Sequence, residues 1–294
     1  MSAPVEGVVS VDGRISPIGE ARVAAMDHGF LFGDSIYEVV RTRSRRPVAL
    51  AEHLERLRAS AVQTYLVIPW TDGEIAARMR EAVAATTFAE CYVRLVVTRG
   101  PGPMTLSPEA CFSPSILVYA MPLRTPTPEE LERGAAVCVP ARLRNDRRAL
   151  APAAKTGNYL NNVLALVEAR RSGGEDAVML NVEGHVTEAT TANVFWVRGG
   201  ELFTPSLDCG ILAGITRTQL IWTVRQQGVV VHEGRYAYAD MAGADEVMLT
   251  GTVRGVSPVT RIDGKPVGDG RPGPLTRRLM GVYDQVLEAA TQDW

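Results

Sequence analysis

Apolar and polar positions change period along this chain, and the changes mark its elements. Ser35 to Thr42 alternates, so that Tyr37, Val39 and Arg41 share one face of a strand and Ile36, Glu38, Val40 and Thr42 the other. Tyr92 to Arg99 alternates likewise, with Tyr92, Arg94 and Val96 on one face. Val8 to Ile15 predicts a strand, an Asp-Gly turn and a second strand, and Pro47–Leu50 and Ser115–Ala120 two more strands. Between them the period lengthens to that of a helix. Ala51–Ala61 turns Leu54, Leu57 and Ala61 inward, with Arg56 beside that stripe. Thr71 and Glu74 form a capping box that opens a helix running to about Thr86. The first part of the chain is therefore expected to be one sheet with two helices, an α+β layer.

Pro122 to Pro128 carries three prolines and two threonines, the composition of a linker. The expected division is a small domain over 1–121, a linker over 122–130 and a larger domain over 131–294. In the larger part Ala135–Val139, Ala177–Leu180, Val186–Glu188, Asn193–Val197, Glu201–Thr204 and Asp245–Thr252 predict strands. Leu160, Val163, Leu164 and Val167 predict a helix to about Arg171 with those four side chains inward, stopped by Gly173-Gly174. Gly214 opens a helix to about Gln227, and the last helix spans roughly 273–290. No repeat or low-complexity segment interrupts this pattern.

Composition narrows the function classes. A formal charge of −2, with arginines spread among acids, gives no basic face for nucleic acid. No apolar run is long enough to cross a membrane, and Met1–Gly7 lacks a basic-then-apolar leader pattern. Cys91, Cys111, Cys138 and Cys209 are far apart, and His28, His53, His185 and His232 have no ligand spacing. The expectation is a cytoplasmic protein with free thiols and no metal site.

The chemistry begins with a scarcity. Of the 31 Lys and Arg residues only Lys155 and Lys265 are lysines. Arginine serves wherever a positive charge is enough, but a lysine amine can lose its proton and attack a carbonyl. Lys265 follows an Asp-Gly turn, a solvated setting. Lys155 sits among small and amide residues just before a helix. Three further features join it. Glu188 precedes the small polar run Ala189–Asn193; Gly214-Ile215-Thr216 offers N–H groups and a hydroxyl at a helix start; Thr250-Gly251-Thr252 offers a second such cradle. An amine, a lone carboxylate and two phosphate cradles are the parts that pyridoxal 5'-phosphate requires.

In that order, with His28–Asp34, Tyr37–Val40, His53–Leu57, Leu249–Thr252 and Val256–Val259, the sequence resembles the class IV (fold-type IV) pyridoxal-phosphate aminotransferases. The resemblance covers nearly the whole chain. It implies an α+β, two-domain fold: a small N-terminal α/β sandwich domain and a larger C-terminal domain with a mixed, barrel-like sheet and helices. It also implies a homodimer whose active site lies between the domains, closed by a loop from the neighbour. Lys155 would be the Schiff-base lysine and proton carrier, and Glu188 the partner of the pyridine nitrogen. Arg56, Ile215, Thr216 and Thr252 would hold the phosphate, with Gly214, Gly251, Thr191 and Asn193 around them. Tyr159 is similar to the tyrosine at the ring hydroxyl, one residue nearer the lysine than in branched-chain enzymes, and Leu212 would pack on the ring.

For the substrates, an amino donor and a 2-oxo acid acceptor, the signals divide. Tyr92 and Arg94 resemble the tyrosine–arginine pair around the carboxylate in branched-chain enzymes, and Arg41 stands in a comparable place. Tyr37 shares the strand face with Arg41. Asp34–Val40 and Val96–Gly100 resemble D-amino-acid and R-selective amine transaminases instead. The following loop, Pro101–Leu106, lacks the arginine and histidine of the best-known D-amino-acid enzymes. Arg254 stands where branched-chain enzymes have a small residue, either as a carboxylate contact or as filler. The expectation favours an L-branched-chain or related L-amino-acid transaminase. A D-amino-acid or R-amine transaminase is the alternative; aminodeoxychorismate lyase and a cofactor-binding protein without turnover follow.

Overall fold

The computed structural model describes residues 5–294; Met1–Pro4, which begin the leader reading, lie outside them. The chain forms two compact units. The first comprises the described residues up to Arg124, with Ala154–Asn158 and Ala290–Trp294; the second comprises Thr125–Ala153 and Tyr159–Ala289. Lys155, counted with the larger part on sequence, thus lies in the first unit.

The first unit contains β1 (Val8–Val11), β2 (Arg14–Pro17), α1 (His28–Phe32), β3 (Ser35–Arg43), β4 (Arg46–Pro47), α2 (Leu50–Gln63), α3 (Asp72–Ala84), β5 (Cys91–Thr98) and β6 (Ser115–Pro122). Its sheet runs β2-β1-β6-β5-β3-β4, and every pairing is antiparallel. One face buries Ile36, Val40, Val93, Leu95 and Val118 against Leu54, Leu57, Ile75 and Met79 of α2 and α3. Alternation explains this: β5 buries Cys91, Val93, Leu95 and Val97 completely and leaves Tyr92, Arg94 and Val96 half-buried on the other face. The capping box at Thr71 and Glu74 is formed. The strand expected at Pro47–Leu50 is cut short, because Ala49 takes φ 55° and Leu50 already starts α2. The C-terminal residues complete this unit. Ala49 N–H donates to Ala290 O (2.7 Å), Gln292 N–H to Pro47 O (2.8 Å) and Trp294 Nε1–H to Arg45 O (3.0 Å).

The second unit contains α4 (Pro128–Arg133), β7 (Ala135–Cys138), α5 (Leu160–Arg171), β8 (Asp176–Leu180), β9 (Val186–Ala189), β10 (Asn193–Arg198), β11 (Glu201–Pro205), α6 (Ile215–Gln226), β12 (Val231–Gly234), α7 (Tyr238–Ala242), β13 (Glu246–Gly251), β14 (Gly255–Ile262), β15 (Lys265–Pro266) and α8 (Pro274–Ala289). Strands β10-β13-β14-β7-β8-β9 follow one another, and β9 pairs again with β10, so the sheet closes on itself as a barrel. Val137, Val178, Val186, Val194, Trp196, Val247, Leu249 and Val259 fill its core. Helix α5 corrects the sequence expectation. Its buried face is Asn162, Ala165 and Ala169, whereas Leu160 is 68% and Val163 51% exposed, with Leu164 and Val167 exposed beside them. Small alanines let α5 lie close on Ala177 and Met179, which leaves the larger apolar stripe outward. No described helix is long and apolar enough to cross a membrane.

Candidate active site

Lys155 is held by main-chain pairing. Residues 154–158 lie along β3 as an added rung: Tyr37 N–H donates to Lys155 O (2.9 Å), Gly157 N–H to Ser35 O (2.8 Å), and Ile36 stands opposite Thr156. Lys155 N–H donates to Ser60 Oγ on α2 (3.0 Å), and Asn158 Nδ2–H to Gly33 O (3.0 Å). The approach is close at Gly157, where an added Cβ would stand 2.2 Å from Ser35 Oγ and that hydroxyl would have to turn aside. The lysine's Nζ lies 4.5 Å from the centroid of the Tyr37 ring, and Arg94 Cζ lies 3.9 Å from the same ring. The aromatic π face attracts both cations.

Arg56 does point inward. Its Nε–H and Nη2–H donate to the two oxygens of Glu38 (2.8 and 2.7 Å), a bidentate pair between β3 and α2. His53 Nδ1 completes the cluster, 2.7 Å from Glu38 Oε2. Burial would raise the Glu38 carboxyl, but the hydrogen bonds and charges of Arg56 and His53 outweigh it and hold the pKa down to about 2. Burial pushes the His53 imidazole down, against the pull of Glu38, with the charges of Arg56 and Lys155 adding to the fall. His53 is therefore neutral and donates its Nδ1–H to an ionised Glu38. Sequence reasoning missed Glu38 as a site residue; a carboxylate alternating with Ile36 and Val40 on a core face was the available signal.

The opposite sheet face gathers Tyr37, Arg41, Tyr92 and Arg94. Cross-strand register sets Arg41 opposite Tyr92 and Val39 opposite Arg94. Arg41 Nε is buried with no hydrogen-bond partner, and Arg94 has no acidic partner among the described residues. Tyr119, not singled out on sequence, stands opposite Arg94 on β6. Burial raises its phenol, with the Arg94 charge opposing.

In the second unit register again does the placing. Glu188 ends β9 opposite Asn193 at the start of β10, and Asn193 stands opposite Thr250 near the end of β13. Three donors converge on the buried Glu188 carboxylate: Arg144 Nη2–H (2.7 Å), Leu212 N–H (3.0 Å) and Asn193 Nδ2–H (3.3 Å). Arg144, which sequence reasoning missed, also donates through Nη1 to Asn162 Oδ1 (3.1 Å). Gly214 is the N-cap of α6 without a side-chain cap, and a Cβ there would stand 2.0 Å from Asn193 Oδ1. The helix therefore presents its first N–H groups, Ile215 and Thr216 among them, with the Thr216 side chain buried beside them. Thr250 Oγ1 is buried without a partner. Gly251 and Thr252 follow it; Thr191 is exposed, with its carbonyl facing Gly251. Tyr159 is the N-cap of α5, and Arg254 pairs with Asp176 (2.9 Å).

So the first unit brings together Lys155, Tyr37 and Arg94, with Arg41 and Tyr92 on the same sheet face and Arg56 on the other. The second brings Glu188, Asn193, Leu212 and Gly214 into contact, next to Thr250–Thr252. One assembles an amine and unpaired guanidinia, the other a carboxylate and an oxyanion cradle.

Known proteins give the family. The family model for amino-transferase class IV matches residues 35–262. The chain is 36% identical over 278 residues, 95% of it and 96% of the relative, to a Methanocaldococcus jannaschii chain provisionally called a branched-chain-amino-acid aminotransferase. It is 31% identical to the D-alanine aminotransferase of Bacillus licheniformis, over 96% of this chain and 98% of that one. The branched-chain amino acid aminotransferase of Thermobaculum terrenum, in its PLP-bound holo-form, superposes with a TM-score of 0.85 at 28% identity, covering 98% of this chain and 95% of that one. The chain belongs to the class IV aminotransferases and is a transaminase of the fold that the branched-chain enzymes share.

Proposed function

We propose that this transaminase binds pyridoxal 5'-phosphate and moves the amino group of an L-branched-chain or related L-amino acid to a 2-oxo acid. The observation that carries the substrate reading is the sheet face of Arg41, Tyr92 and Arg94. Two guanidinia without acidic partners, set among Val39 and Val96, suit a substrate with a carboxylate and an apolar side chain. The donor set fits the cofactor. The uncapped start of α6, the unpartnered Thr250 hydroxyl and the adjacent Thr252 suit a phosphate. Glu188 accepts three hydrogen bonds and keeps lone-pair capacity for a ring N–H.

In this reading Arg56, Ile215, Thr216 and Thr252, with Gly214, Gly251, Thr191 and Asn193, hold the phosphate end. Leu212 would pack on the ring and Tyr159 would meet its hydroxyl. When bound, the cofactor supplies a carbonyl for amines and a ring that accepts electrons. Glu188 holds the proton at the ring nitrogen, and Arg144 and Leu212 N–H fix the carboxylate for that task. Lys155 would supply the amine that anchors the cofactor, and its Nζ would carry the proton to and from the substrate Cα. Arg41, Tyr92 and Arg94 hold the substrate carboxylate, and Tyr37 backs the Arg94 guanidinium. The first unit acts as the small domain and the second as the cofactor domain. The exposed stripe of α5 supports a homodimer, because a contiguous apolar helix face gains about 25 cal/mol per Å² when covered. The four free thiols support a reducing, cytoplasmic setting.

The deciding experiment is a half-reaction. The cofactor-loaded protein is mixed separately with L-leucine, D-alanine and an R-amine, without acceptor, and loss of the long-wavelength cofactor band is followed. Bleaching by L-leucine is expected. Bleaching by D-alanine or the amine alone would replace this reading by the one that Asp34–Val40 and the D-alanine relative favour. Borohydride reduction followed by peptide mapping is expected to label Lys155 and leave Lys265 unmodified.

A further inference from the structure

Arg254 has no task in the reading above. It follows Thr252 in the turn between β13 and β14, where Gly251 stands opposite Gly255. Its side chain is 27% exposed, and its Nη2–H donates to Oδ2 of Asp176, a carboxylate only 7% exposed (2.9 Å). The other oxygen of Asp176 accepts from Thr190 Oγ1 (2.6 Å), Thr190 N (3.3 Å) and Ala177 N (2.8 Å). Thr190 O accepts from Asn162 Nδ2 (2.7 Å), Asn162 Oδ1 from Arg144 Nη1 (3.1 Å), and Glu188 Oε1 from Arg144 Nη2 (2.7 Å). An unbroken chain of hydrogen bonds therefore runs from the Thr252 turn to the Glu188 carboxylate, all within the second unit.

We propose that Arg254 is a positioning residue: it ties the turn carrying Thr252 to Asp176 and, through Thr190, Asn162 and Arg144, to Glu188. The proposal rests on the cofactor reading, in which that turn and that carboxylate hold opposite ends of one molecule. As a substrate-carboxylate contact, Arg254 would have to divide its guanidinium between that anion and Asp176. Here it already compensates a nearly buried carboxylate, which would lose its partner if Arg254 turned away. A filler would need no charge, yet Asp176 accepts one.

The test compares wild type, R254M and R254K as full-length, cofactor-stripped protein. Pyridoxal phosphate is titrated into each, and amide exchange is followed for 188–191 and 251–255 before cofactor is added. R254M is expected to bind the cofactor about tenfold more weakly, as loss of one hydrogen bond to a charged group gives. Exchange should quicken in both segments. R254K, which can still reach Asp176 with one N–H, should recover most of both. At saturating cofactor the donor KM of R254M should stay within about twofold of wild type, since a positioning role leaves the carboxylate contacts in place. A raised donor KM with unchanged cofactor affinity and exchange would make Arg254 a substrate contact and overturn the proposal. No change in any readout would make it filler and overturn it too. R254Q, which keeps one N–H donor on a shorter side chain, gives the same comparison if R254M does not fold. If wild type takes up no cofactor, the cofactor reading fails, while the exchange comparison still judges the tie.

Discussion

The two faces of strand β3 treat charge in opposite ways. On the inner face Glu38 is saturated: Arg56 grips both oxygens and His53 adds a third bond, all beneath α2. On the outer face Arg41 and Arg94 have no carboxylate partner among the described residues, and Arg94 rests on a tyrosine ring. Buried charge that is fully paired holds a structure together; unpaired guanidinium on an open face is capacity for a ligand. The same strand thus anchors the fold on one side and offers an anion site on the other, separated only by side-chain alternation.

The comparison breaks most visibly at Glu38. Glu38→Leu leaves Arg56 without its buried partner and should lower unfolding free energy by about 3–5 kcal/mol in urea titrations. A loss below about 1 kcal/mol would show that the inner cluster holds little. The pH dependence follows with its sign. Below about 6.5 an unfolded histidine takes a proton that folded His53 resists, and below about 4.5 an unfolded glutamate takes one that folded Glu38 refuses until about 2. Both contributions are present at neutral pH and are lost on the acid side. The Glu38 share is about 3 kcal/mol. His53→Gln should flatten the decline between pH 6.5 and 4.5 and leave the steeper carboxylate limb, as read from urea midpoints across pH.

On the outer face effects should move from stability to substrate. Arg94→Met should change unfolding free energy by no more than about 0.5 kcal/mol. It should raise the donor KM about tenfold to a hundredfold, the value of a lost charged hydrogen bond of about 1.5–3 kcal/mol. A large stability loss with normal KM would mean that the two faces do not differ as described. The smallest effect sharpens the edge of the site. Tyr119→Phe, opposite Arg94, should raise donor KM about threefold, as a neutral hydrogen bond of about 0.5–1 kcal/mol gives, with unchanged stability.

Much of this fold was legible in the sequence where one segment carries its own reason. The Thr71–Glu74 capping box, the inward Leu54, Leu57 and Ala61, and the alternation of β3 and β5 are local facts, and each is observed. Helix α5 shows the limit. Period told which residues share a face but not which face is covered, and the small Asn162–Ala165–Ala169 face packs closer than the larger stripe could. The hairpin turn at Asp263–Pro266 implies a strand on either side, and β14 and β15 are those strands, but the parallel pairing of β14 with β7 joins residues more than a hundred apart. Arg144 and Tyr119 were invisible for the same reason, since barrel closure and cross-strand register give them their neighbours. Lys155 stood out by rarity, although nothing local told that its backbone lies along β3.

The first unit draws on three separated stretches, the last of them Ala290–Trp294. During synthesis, therefore, its sheet is made early but finished late. The rung that holds Lys155 arrives only after residue 158, and the strap over Pro47 and Ala49 only once residues 290–294 leave the ribosome. Neither unit corresponds to a single cut of the chain, so a gene split at the linker would yield a first half without its lysine and without its closing strap. Removal of Ala290–Trp294 should therefore be felt far away in sequence, at Pro47 and Ala49 of the first unit.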